Sequence, residues 1–211
     1  MKRILITGFE PFDGAKINPS YEAVNALPET IDGAQIIKMQ IPTVFYKGAA
    51  LIRDAIMKNL PDIIICVGQA GGRSAISIEQ VAINIVEARI PDNEGNQPQD
   101  ENVIVTGDNA YFSNLPVKAM VKAIQDKEIQ VEISYSAGTF VCNEVMYQLL
   151  HTITKEFPSM RGGFIHVPYA PEQTKDKPSM PIETMTEALY TAIQAALTHQ
   201  EDITLNTGTI H

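Results

Sequence analysis

Pro61-Asp62-Ile63-Ile64-Ile65-Cys66-Val67-Gly68 is the stretch on which the fold turns. Its apolar run is mostly β-branched, bounded by Pro and Gly, and too short for a helix. Unbroken runs of this kind belong to central strands covered on both faces. Upstream, Thr43 opens a helical stretch with Ala49, Ile52, Ile56 and Leu60 on its apolar face, and 34–41 reads as a strand ended by Pro42. Residues 2–7 form a first buried strand, too short in its apolar core for a signal peptide. A turn follows at 8–14, and Asn18-Pro19-Ser20 resembles a cap, with Ser20 opening a short helix through Leu27.

Downstream, 68–73 is a glycine-rich turn. Ile76, Ile78, Val81, Ile83 and Ile85 are strand-like, with a slip in the alternation between Ile78 and Val81 that marks a bulge or bend. A polar loop rich in turn formers spans 91–100, and 103–106 reads as a short strand. A helix over 116–127 starts on proline; a strand follows at 131–135, then a helix with Val145, Leu149, Ile153 and Phe157 on one stripe. Gly162-Gly163 precedes a strand at 164–167, a Pro/Lys-rich loop spans 171–181, and a last helix covers 183–198 before a frayed polar tail. Strands alternating with helices, without an internal repeat or a dividing linker, predict one domain over 1–211. Its class is α/β: an α/β/α sandwich with a largely parallel central sheet.

The bulk composition narrows the function classes. A net charge of −9 and no basic patch argue against a nucleic-acid or anionic-membrane partner. No apolar run approaches the ~20 residues of a membrane span. Two cysteines, Cys66 and Cys142, make neither a disulfide framework nor a metal knuckle and suit a reducing cytoplasm. The four histidines are scattered; His151, His199 and His211 carry no assigned chemistry.

Ligands of open α/β sheets collect at the carboxyl ends of strands. Segments 8–14, 68–73, 136–142 and His166-Val167-Pro168 all fall at such ends. Cys142 lies where a strand hands over to a helix, so unpaired N–H groups and the helix dipole predict a lowered thiol pKa. His166 at a neighbouring strand end would exchange a proton with it. The plainer alternatives are a buried apolar cysteine and a core histidine satisfied by a carbonyl; for Cys66 the buried reading wins outright. Glu79, an acid among isoleucines and valines, is a candidate to orient the imidazole; it equally fits the solvent face of an edge strand. Arg89, Asp92 and Asp100 are candidates for structural ion pairs. Gly71-Gly72-Arg73 offers a weak anion-binding signal, since neither dinucleotide nor P-loop spacing is present.

Six blocks occur together and in order: Gly8-Phe-Glu-Pro-Phe12 with Asn18-Pro-Ser20; Gly68-Gln-Ala-Gly-Gly-Arg73; Glu79-Gln-Val-Ala-Ile-Asn84; Ala88-Arg-Ile-Pro-Asp-Asn93 with Gln97-Pro98 and Asp100; Ser136-Ala-Gly-Thr-Phe-Val-Cys-Asn143; and Phe164-Ile-His-Val-Pro168. Over about residues 4–195 the chain resembles pyroglutamyl peptidase I. The resemblance implies a cysteine peptidase that removes an N-terminal pyroglutamyl residue from peptides through a thiolate and an acyl-enzyme. It carries the nucleophile onto Cys142, the general base and acid onto His166, and the orienting carboxylate onto Glu79. It also implies an α/β/α fold and a cytoplasmic homotetramer that needs no metal or other cofactor.

A lactam ring without a charged amine asks for an apolar, flat-walled pocket with a few polar groups. Phe9, Phe12, Phe140 and Val141 are the candidate walls, and Asn18 or Gln69 the candidate lactam partner. Backbone N–H groups near Cys142, with Arg89 as helper or as a salt-bridge partner only, would hold an oxyanion. A nucleoside phosphorylase using Gly71-Gly72-Arg73 for phosphate, and a non-catalytic binding module, are the competing readings.

Overall fold

The run at 63–67 lies in the middle of a seven-stranded sheet in a computed structural model that describes residues 1–208. The sheet comprises β1 (Arg3–Phe9), β2 (Thr30–Ile31), β3 (Ala34–Ile41), β4 (Ile63–Gln69), β5 (Ile76–Glu79), β8 (Val131–Ser134) and β9 (Arg161–Val167). Their order is β2-β3-β1-β4-β9-β5-β8. The central pairs β3/β1, β1/β4 and β4/β9 are parallel, as is β5/β8, whereas β2/β3 and β5/β9 are antiparallel. The sheet is therefore largely parallel, as the alternating pattern predicts. A separate hairpin pairs β6 (Val81–Ile83) with β7 (Ala110–Phe112).

Period-two alternation divides β4 between two cores. Ile63, Ile65 and Val67 pack with α1 (Pro19–Asn25), α3 (Val117–Gln125) and α5 (Ile182–Thr198). Ile64 and Cys66 pack with α2 (Lys47–Asn59), α4 (Val141–Glu156) and the β6/β7 hairpin. Burial of Cys66 among these residues agrees with its reading as a structural cysteine.

Several local readings change. Within the predicted Asn18-Pro19-Ser20 cap, Asn18 caps α1, its Oδ1 accepting from the Ser20 N–H at 3.1 Å, and the helix opens at Pro19 rather than Ser20. α2 starts at Lys47, four positions beyond Thr43, because Tyr46 takes a left-handed φ of 65° that no helix can propagate. The slip after Ile78 is where the chain leaves the main sheet, with Gln80 between β5 and β6. No strand forms at 103–106: the Ile104 N–H donates to Asn84 Oδ1 and its carbonyl accepts from Gly107 N, leaving no groups for a ladder. Gly162 and Gly163 lie inside β9 rather than before it. A Cβ on Gly162 would stand 2.5 Å from Ile153 Cδ1, so glycine lets α4 press onto the sheet.

The tail also departs from expectation. Asp202 accepts from the Lys118 and Ala119 N–H groups, both at 3.0 Å, and so caps α3, which has no side-chain cap of its own. His211 lies outside the described residues. Asp202→Ala is expected to cost about 1 kcal/mol, read as a lower urea midpoint at unchanged slope; an unchanged midpoint would mean that the cap contributes nothing in solution.

Candidate active site

Topology carries three chemistry-bearing side chains to one place. β4 and β9 are in register with Gly68 opposite His166 and Cys66 opposite Phe164. Phe164 and His166, two residues apart, share the face covered by α4, and their ring centroids are 4.8 Å apart. Cys142, the second residue of α4, comes down onto the same spot. A Cβ on Gly68 would stand 2.9 Å from Cys142 Sγ and 2.8 Å from Phe164 Cζ. Gly68 thus leaves room for the sulfur directly beside the strand position that carries His166.

Glu79 reaches the same imidazole from the other side. β5 runs antiparallel to β9 with Ser77 opposite His166 and Glu79 opposite Phe164. Glu79 is 0% exposed, so its strand is not a solvent face. Its Oε1 lies 2.7 Å from His166 Nδ1 and accepts from the Arg73 guanidinium at 2.8 Å. A carboxylate only accepts, so Nδ1 carries the proton and Nε2 is the nitrogen left for exchange with a substrate or thiol. Burial alone would raise the Glu79 carboxyl. The hydrogen bond and charge of His166, with Arg73, outweigh that and hold it below the ordinary range.

The thiol differs from expectation. Cys142 keeps some exposed surface, but its sulfur points inward onto Gly68 and Phe164. Burial, and after it the charge of Glu79, push the thiol up to about 12, and the opposing influence of Arg73 does not compensate. In the free protein the group is therefore a thiol near neutral pH.

Arg73 ends the turn that carries the weak anion-binding signal. Its guanidinium instead bonds Glu79 and the Ser136 carbonyl at 3.0 Å, tying the turn after β4 to the segment before α4. Asn143, unassigned from sequence alone, is fully buried. Its Oδ1 accepts from the Ile83 N–H, and its Nδ2 donates to the Ile83 and Ile85 carbonyls, which seats the first turn of α4 on β6. The readable signals were an amide beside Cys142 and a guanidinium after a central strand.

The candidate wall divides in two. Phe12 and Phe140 are half-buried with centroids 5.4 Å apart, and Phe45 meets Phe140 edge-on at 5.1 Å. Phe9 is buried beneath them, 6.3 Å from Phe164. Val141 is 0% exposed, so its side chain offers no surface to a ligand in this structure. Asn18 is engaged at both ends, as cap of α1 and as donor to the Glu10 carbonyl. Gln69 Oε1 accepts from Gln173 at the inner edge of a cleft of ≈ 700 Å³, whose lining includes Phe12, Lys16, Tyr169 and Lys177. The guanidinium of Arg89 is exposed and in no ion pair among the described residues; its segment is held to the 139 turn by Glu87 N to Thr139 O and Thr139 Oγ1 to Glu87 O. Asp92 likewise forms no ion pair. It accepts from the N–H groups of Phe45, Glu94 and Asn96. No group of three or more His, Cys, Asp or Glu is placed to hold a metal ion among the described residues.

Comparison with known proteins bears on this geometry. The family model described as pyroglutamyl peptidase matches residues 2–199. The chain belongs to the pyroglutamyl peptidase family. It is 54% identical over 212 residues to a pyrrolidone-carboxylate peptidase of Enterococcus faecalis, covering 99% of this chain and all of that one. The crystal structure of pyroglutamyl peptidase I from Bacillus amyloliquefaciens superposes with a TM-score of 0.95 at 50% identity, over 97% of this chain and 99% of the other. The pyrrolidone carboxyl peptidase of Thermococcus litoralis gives 0.93 at 36% identity, over 97% and 99%. Membership of this peptidase family agrees with the resemblance carried by the six sequence blocks. No helix among the described residues is long and apolar enough to cross a membrane.

Two measurements follow from the packing of this family member. Gly68→Ala forces Cys142 Sγ or the Phe164 ring to move, at an expected cost of about 1–3 kcal/mol; unchanged stability together with an unchanged Cys142 alkylation rate would contradict the contact. The depressed Glu79 carboxyl contributes stability above its unfolded value, and this is lost as pH falls through the folded one. Glu79→Gln should therefore flatten the decline in thermal stability below about pH 4.5, and a parallel acid limb in both proteins would count against the pairing.

Proposed function

We propose that this protein hydrolyses the bond that follows an N-terminal pyroglutamyl residue of a peptide, with Cys142 as nucleophile, His166 as base and acid, and Glu79 orienting the imidazole. The observation that carries the reading is the 2.7 Å contact of a buried carboxylate with His166 Nδ1. It leaves Nε2 outside that contact, and Cys142 Sγ lies against Gly68, the residue paired with His166 across the sheet. Family membership supplies the substrate class.

Because the thiol is neutral at rest, the thiolate arises as the reaction begins. His166 Nε2 takes the Sγ proton while sulfur adds to the pyroglutamyl carbonyl carbon. The negative oxygen of the tetrahedral intermediate faces the unpaired N–H groups of the first turn of α4, with Arg89 as an auxiliary donor. The C–N bond breaks, His166 returns its proton to the leaving amine, and a thioester remains on Cys142. Water, deprotonated by His166, then releases pyroglutamate and restores the thiol.

The lactam ring fits against Phe12 and Phe140. Of the two candidate lactam partners, Gln69 suits better because Asn18 is engaged in the α1 cap. The cleft beyond Gln69 accommodates the departing peptide. The working form is proposed to be a homotetramer in the reducing cytoplasm, where both free cysteines stay reduced. The phosphorylase alternative loses support because Arg73 is committed to Glu79.

A fluorogenic pyroglutamyl amide, compared with the matching glutamyl amide under reducing conditions, tests the reading. Only the pyroglutamyl compound should release fluorophore, with a bell-shaped kcat/KM whose limbs belong to the Cys142–His166 pair. Cys142→Ala should lose about 10⁴-fold or more, and Cys66→Ala should remain active. Activity surviving in Cys142→Ala, or phosphate-dependent cleavage of a nucleoside instead, would overturn it.

A further inference from the structure

The turn between β3 and α2 is held in an unusual way. Three of its backbone N–H groups donate to carboxylates from three separate segments. Thr43 N–H reaches Glu10 Oε1 at 3.1 Å, Phe45 N–H reaches Asp92 Oδ2 at 2.9 Å, and Tyr46 N–H reaches Glu144 Oε2 at 3.2 Å. The turn needs such support: Tyr46 has a left-handed φ of 65°, and α2 has no side-chain cap. Glu10 belongs to the loop that runs from the end of β1 to Phe12, and Glu144 to the helix of Cys142.

These contacts close a circuit around the aromatic wall. The Glu144 N–H donates to the Phe140 carbonyl at 3.1 Å. Its side chain holds Tyr46, the neighbouring Phe45 presses its ring on Phe140, and Phe140 meets Phe12. Glu144 is itself fully buried, and its second oxygen accepts from Gln148. A carboxylate is costly to bury without a cation, and no Lys, Arg or His pairs with this one among the described residues.

We propose that Glu144 is a positioning residue, its ionised carboxylate fixing the 43–46 turn so that Phe45 keeps Phe140 and Phe12 in place to receive the substrate ring. The inference rests on the peptidase reading for its substrate and on geometry alone for the clamp. Burial pushes the Glu144 carboxyl up to about 7, so the clamp weakens as pH falls through neutrality. The titratable groups around it are the Tyr46 phenol and the Cys142 thiol, both raised in part by its charge, and Glu101, which faces Tyr46. Asp92 approaches the same turn but keeps its own four hydrogen bonds to Phe45, Glu94 and Asn96.

Glu144→Gln retains an acceptor for Tyr46 without titrating, whereas Glu144→Leu removes it. With the pyroglutamyl amide, Glu144→Leu should raise KM about tenfold, the equivalent of one charge-assisted hydrogen bond, and change kcat far less. Wild-type KM should rise as pH drops from 8 to 6 by more than that of Glu144→Gln. Amide hydrogen exchange over 43–47 should speed up most in Glu144→Leu and less in Glu144→Gln, whose neutral amide is a weaker acceptor than the carboxylate. Unaltered exchange and KM in Glu144→Leu, or a Glu144→Gln pH profile superimposable on wild type, would overturn the proposal. Should Glu144→Leu fail to fold, the Glu144→Gln profile decides. If the wild type cleaves no pyroglutamyl amide, the peptidase reading fails, and hydrogen exchange still decides the clamp.

Discussion

A single buried charge organises this site. Glu79 is excluded from water inside a β-sheet, where an unpaired carboxylate is strongly disfavoured. His166 and Arg73 satisfy it from two directions, and each consequence extends outward. The imidazole is held in one tautomer, the turn after β4 is tied to β5, and through Ser136 the approach to α4 is tied to the same guanidinium. The sulfur of Cys142, the proposed nucleophile, then needs only the gap that Gly68 provides. Charge neutralisation and the geometry of the proposed catalytic groups are thus one arrangement.

The acidic balance of the chain takes on a different meaning in this light. Glu10, Asp92 and Glu144 accept hydrogen bonds from backbone amides of one turn rather than facing solvent partners. Part of the formal charge of −9 therefore works inside the molecule. Helices α2 and α3 likewise begin without side-chain caps of their own and borrow acids from distant segments.

What was legible in the sequence followed from local chemistry. The β-branched run at 63–67 marked a central strand because only a doubly covered position tolerates it. Cys142 at a strand-to-helix junction could be located from apolar periodicity alone. What escaped depended on neighbours remote in the chain. Glu79 looks the same in local pattern whether it faces solvent or His166, 87 positions away, and only the family resemblance singled it out. Thr43 reads as a helix start until Tyr46 adopts a left-handed backbone held by carboxylates from elsewhere. The lowered thiol pKa expected of a helix start failed because the sulfur is buried beside a carboxylate. Val141 and Asn18 are candidate ligand contacts in sequence; in the structure Val141 is fully packed and Asn18 caps α1 and donates to Glu10.

The antiparallel course of β5 against β9 has a kinetic consequence. Glu79 meets His166 only in one hydrogen-bond register, and a slip by one residue would turn its carboxylate to the opposite face. The strands that bring them together are far apart in the chain, and pairings of that kind form late because loop closure comes first. The acid–imidazole pair is therefore completed only when the sheet has closed in its correct order. On the proposed roles of Glu79 and His166, regain of activity during refolding should report the last zipping of the sheet.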